Sequence, residues 1–131
     1  MSQPAAPPTI RFTQLFINNT FVDAAAGGTF ETLNPATGAK IADVAEARAA
    51  DVARAVAAAK AAFARGSAWR TLDASARGGL LLKLAALMER DKEQLAALDA
   101  LDNGKPFAEA LGIDLHLAIK CFRYYAGWAC V

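Results

Sequence analysis

The chain has 131 residues, of which 55% are hydrophobic, and its 14 Lys and Arg against 13 Asp and Glu leave a net charge of +1. This length suits one domain with enough chain to bury a core. The near-zero net charge argues against a nucleic-acid binder, which normally carries a clustered basic surplus. Charged residues interrupt every Ala/Leu stretch before about 18 apolar residues accumulate, which argues against a membrane span. The two cysteines are too few for a disulfide scaffold or a zinc cluster.

The first nine residues contain three prolines and no basic residue. This composition is typical of neither a secretory signal peptide nor an Arg-rich mitochondrial presequence. We therefore expect a flexible arm over residues 1–12, a domain segment over residues 13–131 and a cytoplasmic location.

Two β-hairpins are predicted at the start of the domain segment. Each is a pair of short apolar runs around turn residues, Asn18-Asn19-Thr20 in the first and Asn34-Pro35-Ala36-Thr37-Gly38 in the second. In the second turn, Pro presets the entry and Gly accepts a positive φ. The predicted strands are Leu15–Ile17 with Phe21–Val22, and Thr29–Leu33 with Ile41–Val44.

After Glu46 the apolar period changes from two to about 3.6, which predicts helices for the rest of the chain. The first helix is predicted from Ala49 to Arg65. Asp51 lies in its first turn, where the helix dipole favours an acid, and Gly66 ends it. Its apolar face carries Val52, Val56, Ala59 and Phe63.

Two further helices are predicted. The second begins near Asp73 or Ser75, either of which can cap it, and runs to about Arg90. Its apolar stripe is extended by Leu95, Leu98 and Leu101, and Asn103-Gly104 closes it. The third helix begins at Phe107 and carries, in register, Leu111, Leu115, Ala118, Phe122 and Tyr125.

The third helix is still periodic and aromatic where the sequence stops. A helix that ends in mid-pattern usually packs on something further along the chain, so we expect a truncated product. The aromatic side chains left needing a covering surface are Phe122, Tyr124, Tyr125 and Trp128.

Reactive residues are few, and no glycine-rich phosphate loop is present. We expect a structural role for His116 and for a buried Cys121, whose basic neighbours do not share its helix face, and an exposed Cys130. Asp102, an acid at a helix C-terminus, opposes the helix dipole and needs a cation. That cation is either Lys105, within an ordinary turn, or a bound metal ion.

Several stretches, in order and spacing, resemble the aldehyde dehydrogenase superfamily, in particular the NAD-linked enzymes that oxidise retinal and acetaldehyde. The resemblance runs from Phe12 to Ala129. It is carried by LFINN (15–19), TFETLNPATG (29–38), VAE (44–46), GSAWR (66–70), LDNGKP (101–106) and RYYAGWA (123–129).

The resemblance implies a parent α/β fold with a Rossmann-like coenzyme domain. This chain resembles its N-terminal part, two β-hairpins followed by three to four helices. The parent enzyme oxidises aldehydes to carboxylic acids with NAD or NADP and assembles as a homo-oligomer. Its catalytic cysteine, glutamate base and coenzyme loop have no counterpart here, so we expect the isolated chain to be inactive and to bind no coenzyme tightly. The alternative is a non-catalytic helical module that docks on full-length subunits.

The resemblance implies two sets of site residues in this chain. Asp102 matches an acid that helps to hold a structural monovalent cation, and Thr32 and Leu33 match positions that offer backbone carbonyls to the same ion. Ile113 and Leu117, one helical turn apart, match residues that line the aldehyde entry tunnel. The alternative is that Ile113 and Leu117 are ordinary core residues and that Asp102 belongs to an ordinary turn.

Overall fold

The structure, a computed structural model, describes residues 8–129. It confirms the predicted order of two hairpins followed by helices. No helix within this range is both long and apolar enough to span a bilayer. The strands are β1 (Leu15–Ile17), β2 (Thr20–Val22), β3 (Thr29–Leu33) and β4 (Lys40–Ala45). The helices are α1 (Ala49–Ala62), α2 (Ala68–Thr71), α3 (Ala74–Arg90), α4 (Lys92–Asn103), α5 (Phe107–Glu109), a π-helical turn (Ala110–Asp114) and α6 (Leu115–Trp128).

The described chain forms two compact units. The hairpin unit comprises Ile10–Leu33 and Thr37–Thr71, and the helical unit comprises Asn34–Ala36 with residues 72–129 and the short stretch 8–9. The predicted boundary between an arm over 1–12 and a segment from 13 stays a prediction, and residues 1–7 of that arm lie outside the described range.

The first hairpin is built on a two-residue turn. Asn18 and Asn19 have φ angles of 52° and 58°, the pair of positive values that a type I′ turn requires. This turn places Ile17 opposite Thr20, so Thr20 belongs to the strand and not to the turn as predicted. The Phe21 ring stacks on Phe12, with 4.3 Å between ring centroids.

The second hairpin pairs β3 with β4 antiparallel and contains one irregularity. Thr32 pairs with Ala42, but Leu33 pairs with Lys40, so one extra residue lies in β4 at this point. An extra residue in one strand is a β-bulge, which bends the strand and locally ends the regular ladder.

Helix α1 is fixed at its start by Asp51, whose side chain is 1% exposed. Its carboxylate accepts hydrogen bonds from the backbone N–H of Ala25, at 2.9 Å, and of Arg48, at 3.1 Å. These bonds, that from Ala25 first, lower the pKa of Asp51 below its usual value. The first-turn acid was predicted, but its hydrogen bond from Ala25, in the loop between the two hairpins, was not.

The predicted apolar face of α1 is largely exposed in the described chain. Val52, Val56 and Phe63 are all exposed. The residues of α1 that border the first hairpin include Ala59 of the predicted face together with the small side chains of Ala55, Ala58 and Ala62. The helix also ends at Ala62, three residues before the predicted Arg65, with Gly66 in the following turn.

Helices α3 and α6 pack closely at Gly78. A Cβ atom at this position would lie 2.6 Å from the backbone oxygen of Ala126, so only glycine fits there without a shift. Asp73 caps α3 by accepting a hydrogen bond from the N–H of Ser75, as the sequence predicted. The core of the unit is small: Ala96, Ala110 and Leu115 are buried, and around them pack Met88, Leu95, Ala100, Phe107 and Leu111.

Candidate functional site

The loop after α4 begins two residues beyond Asp102, one of the first set of predicted site residues. Helix α4 ends at Gly104, which has a φ of 76°, the left-handed value that glycine adopts most easily. The side chain of Asn103 accepts a hydrogen bond from the N–H of Lys105 at 2.8 Å. A Cβ atom on Gly104 would lie 2.8 Å from Cγ of Pro35, so the Asn34–Ala36 turn packs directly on this loop.

The three residues of the predicted cation site lie in different units. Asp102 is exposed in the last turn of α4, in the helical unit. Thr32 and Leu33 lie at the end of β3, in the hairpin unit, on either side of the register shift. Within residues 8–129, His, Cys, Asp and Glu side chains form no cluster of three or more suited to a metal ion. A site built mainly from backbone carbonyls stays a prediction.

Lys105 pairs with Asp114, not with Asp102. The ammonium group of Lys105 forms an ion pair with the carboxylate of Asp114, and both side chains are about one-third exposed. The hydrogen bond to Asp114 raises the pKa of Lys105 above its usual value, and the charges of Asp114, Asp99 and Glu109 add to the effect. No local pattern predicts this pair, because the two residues are nine positions apart.

The π-helical turn between α5 and α6 contains Ile113. The N–H of Leu115 donates to the backbone oxygen of Ala110, five residues earlier, as in a π-helix. Ala110 and Leu115 are both buried in the same core cluster. In an α-helix, residues five apart point about 140° away from each other, so only the wider turn lets both residues face the core. The five-residue spacing of these two apolar residues is the sequence signal that was missed.

The structure places Ile113 and Leu117 on the open side of this turn. Their side chains are 54% and 58% exposed, so within the described residues they are not core residues. Their four-residue spacing puts them on one face, about one turn apart. Their predicted contact with an aldehyde stays a prediction.

The exposed face of α6 continues beyond Leu117. Cys121, Tyr124 and Trp128 follow at helical spacing, and all three are exposed. Tyr124 lies 5.2 Å from Tyr125 and 6.0 Å from Trp128, measured between ring centroids.

The expected burial of Cys121 is wrong. Ile119 and Ala126 form the buried face of α6, and Cys121, two residues from Ile119, points well away from that face. His116 is exposed as well, and Tyr125 lies outside the buried face with which it was grouped. Cys130 lies outside the described residues.

Comparison with protein-family models identifies the aldehyde dehydrogenase family over residues 21–130. The chain is 56% identical over 126 residues to the mitochondrial aldehyde dehydrogenase of Sus scrofa, covering 96% of this chain and 24% of the relative. It is 49% identical over 129 residues to retinal dehydrogenase 2 of Homo sapiens, covering 98% and 25%. The chain thus spans about a quarter of the length of the curated relatives it matches.

Solved structures show the same relationship in three dimensions. The NAD+ complex of the aldehyde dehydrogenase from Bacillus cereus matches with a TM-score of 0.86 and 46% identity, over 90% of this chain and 24% of that one. The complex of PnpE with nicotinamide adenine dinucleotide matches with a TM-score of 0.87 and 47% identity, over 92% and 24%. The two hairpins and the helices that follow are therefore an N-terminal portion of a known fold. The chain belongs to the aldehyde dehydrogenase family.

Proposed function

We propose that this chain is the N-terminal part of an NAD- or NADP-dependent aldehyde dehydrogenase that oxidises aldehydes to carboxylic acids. The observation that supports the proposal most strongly is the close structural match to the B. cereus NAD+ complex over 90% of the chain. A homo-oligomer and a cytoplasmic location, expected from the sequence, belong to the same proposal.

The role of this chain in that enzyme is structural and substrate-positioning. The sequence carries no glycine-rich phosphate loop, so none of its residues is assigned to the coenzyme. Within residues 8–129, Cys121 lies exposed on α6 and outside any family motif for a nucleophile. The residues we propose for contact with the aldehyde are Ile113 and Leu117, and those for a structural monovalent cation are Asp102, Thr32 and Leu33.

A chimera tests the proposal. The corresponding segment of the B. cereus enzyme is replaced by residues 10–129 of this chain, and aldehyde-dependent NADH formation is measured. We expect activity within about tenfold of the unmodified enzyme, because core positions tolerate substitution when volume and patterning are kept. A chimera that folds and oligomerises but forms no NADH would contradict the proposal.

The isolated chain gives a separate prediction. Covalent aldehyde oxidation needs an activated thiolate beside a base and a preformed oxyanion site, none of which this chain supplies. We expect no aldehyde-dependent NADH formation by the purified 131-residue chain. Turnover above that of a boiled control would show that this prediction is wrong.

A second candidate function is a non-catalytic module that docks on full-length subunits. The observation that favours it is the exposed aromatic face of α6, with Tyr124, Tyr125 and Trp128. Sedimentation velocity and a hydrophobic dye distinguish this candidate. A chain that sediments as a compact monomer and does not bind the dye would rule the docking module out.

A further inference from the structure

The π-helical turn decides where Ile113 is placed. Ala110 and Leu115 at its two ends are both held in the core. Of the residues between them, Leu111 packs against the same core, whereas Ile113 lies on the outer side of the turn and is more than half exposed. If the turn tightened into an α-helix, Ala110 and Leu115 would point about 140° away from each other and could not both face the core. Ile113 would then move relative to Leu117.

One end of this turn is tied to a neighbouring loop. Asp114, the last residue of the π-helical turn, forms the ion pair with Lys105. The backbone of Lys105 is itself fixed, because its N–H donates to Asn103 and Gly104 before it ends α4 in a left-handed conformation. The pair therefore connects the turn to a loop with a defined geometry.

We propose that the Lys105–Asp114 ion pair is a positioning device that holds the π-helical turn in place and thereby sets how Ile113 meets the aldehyde. The inference rests on the proposed function, since it takes Ile113 as a residue of the aldehyde path. Both residues act through the backbone of the turn, and neither has to touch the substrate.

The exposure of the pair indicates a local effect and not a global one. An ion pair between side chains that are one-third exposed contributes little to the stability of a whole domain. Within residues 8–129, this pair is also the ion pair that joins the charged side chain of the π-helical turn to a separate loop. Its loss should loosen the turn and leave the rest of the helical unit intact.

Hydrogen exchange of the 131-residue chain tests the local half of the proposal. Lys105→Met and Asp114→Asn each remove one charge of the pair. We expect amide exchange over residues 110–115 to become about fivefold faster, the upper end for loss of a partly exposed pair, while the urea midpoint hardly moves. In Lys105→Arg, which keeps the charge, amide exchange over residues 110–115 should stay as slow as in the unsubstituted chain.

A matched control is available on the same unit. Lys92 pairs with Glu89 at 3.0 Å, with both side chains a little under half exposed, and neither lies in the π-helical turn. Lys92→Met should leave exchange over residues 110–115 unchanged. Equal acceleration in this variant and in Lys105→Met, or no acceleration in Lys105→Met, would overturn the proposal.

Substrate selectivity tests the second half, in the chimera described above. For Asp114→Asn we expect KM for a bulky aromatic aldehyde to change by about three- to tenfold, with KM for acetaldehyde and kcat for both nearly unchanged. An equal change in KM for both aldehydes would indicate a general structural defect and contradict the proposal. If the chimera without substitutions is inactive, the proposed function is wrong, and so is the claim that the ion pair affects substrate selectivity. Hydrogen exchange still tests the separate claim that the ion pair holds the π-helical turn in place.

Discussion

At the scale of single residues, two adjacent glycines of α3 have different surroundings. A Cβ atom on Gly78 would lie 2.6 Å from the backbone oxygen of Ala126, whereas one on Gly79 would meet no atom within 4 Å. Glycine lowers the stability of a helix interior relative to alanine unless close packing requires it. The same substitution at these two positions should therefore have effects of opposite sign.

We expect Gly78→Ala to lower the free energy of unfolding by about 1–3 kcal/mol, because the added methyl group forces α3 and α6 apart. Gly79→Ala should raise it by up to about 1 kcal/mol, since alanine is the better helix former. Urea unfolding followed by circular dichroism measures both. Similar effects at the two positions would show that the close contact between α3 and α6 is absent.

Asp51 makes the stability of the hairpin unit depend on pH. The pKa of Asp51 in the folded chain lies below its ordinary value of 3.8, mainly because the N–H groups of Ala25 and Arg48 donate to the carboxylate. This contribution to stability is therefore complete above the unfolded pKa and is lost as the pH falls through the lower, folded pKa.

We expect Asp51→Asn to lower the urea midpoint at pH 7 and to reduce the further fall of that midpoint as the pH drops below the ordinary carboxyl pKa of 3.8. Glu93→Gln is the control, because Glu93 is also a first-turn acid but is exposed on α4. Urea titrations at several pH values provide the comparison. An Asp51→Asn variant with the full acid dependence of the unsubstituted chain would contradict the assignment.

At the scale of elements, the two glycines that follow α1 and α4 have nearly the same backbone φ angle. Gly66 and Gly104 have φ angles of 78° and 76°. A Cβ atom on Gly66 would meet nothing within 4 Å, whereas one on Gly104 would strike Pro35. The difference between the two positions therefore isolates the packing of the Asn34–Ala36 turn on the loop after α4.

We expect Gly66→Ala to cost about 1–2 kcal/mol, the strain of a left-handed alanine. Gly104→Ala should cost about 1–3 kcal/mol more, because the methyl group also displaces Pro35. Thermal unfolding of the two variants checks the difference. Equal losses would mean that Pro35 does not pack on Gly104.

Elements with local sequence signals were predicted well. The turn residues Asn18-Asn19, the cap Asp73 and the terminator Gly104 act within a few residues of their own position, and the structure has each in that role. The two hairpins and the starts of α1 and α3 follow from such signals.

Elements that depend on packing were not predicted. The second helix was predicted to end at about Arg90, where α3 ends, but the separate start of α4 at Lys92 was not predicted. The π-helical turn widens a segment predicted as α-helix. Both serve to bring alanines such as Ala96 and Ala110 into one core, which no local pattern specifies. The Lys105–Asp114 pair was missed for the same reason.

At the scale of the whole molecule, many large apolar side chains are exposed. Examples in the hairpin unit are Phe30 and Phe63, and in the helical unit Leu117 and Trp128. Extended apolar exposure is typical of surfaces that meet other protein. Relatives about four times as long share this segment, in agreement with the proposal that it works as part of a larger enzyme.

The most direct test of this proposal is to measure the intact mass and the activity of the natural protein that contains this segment. An antibody raised against residues 15–44 captures it, and the captured protein is assayed for aldehyde-dependent NADH formation. We predict a species about four times the 13.7 kDa of this chain, as the 24% coverage of its relatives implies, with NADH-forming activity. A species of 13.7 kDa alone, with no activity, would contradict the proposed function.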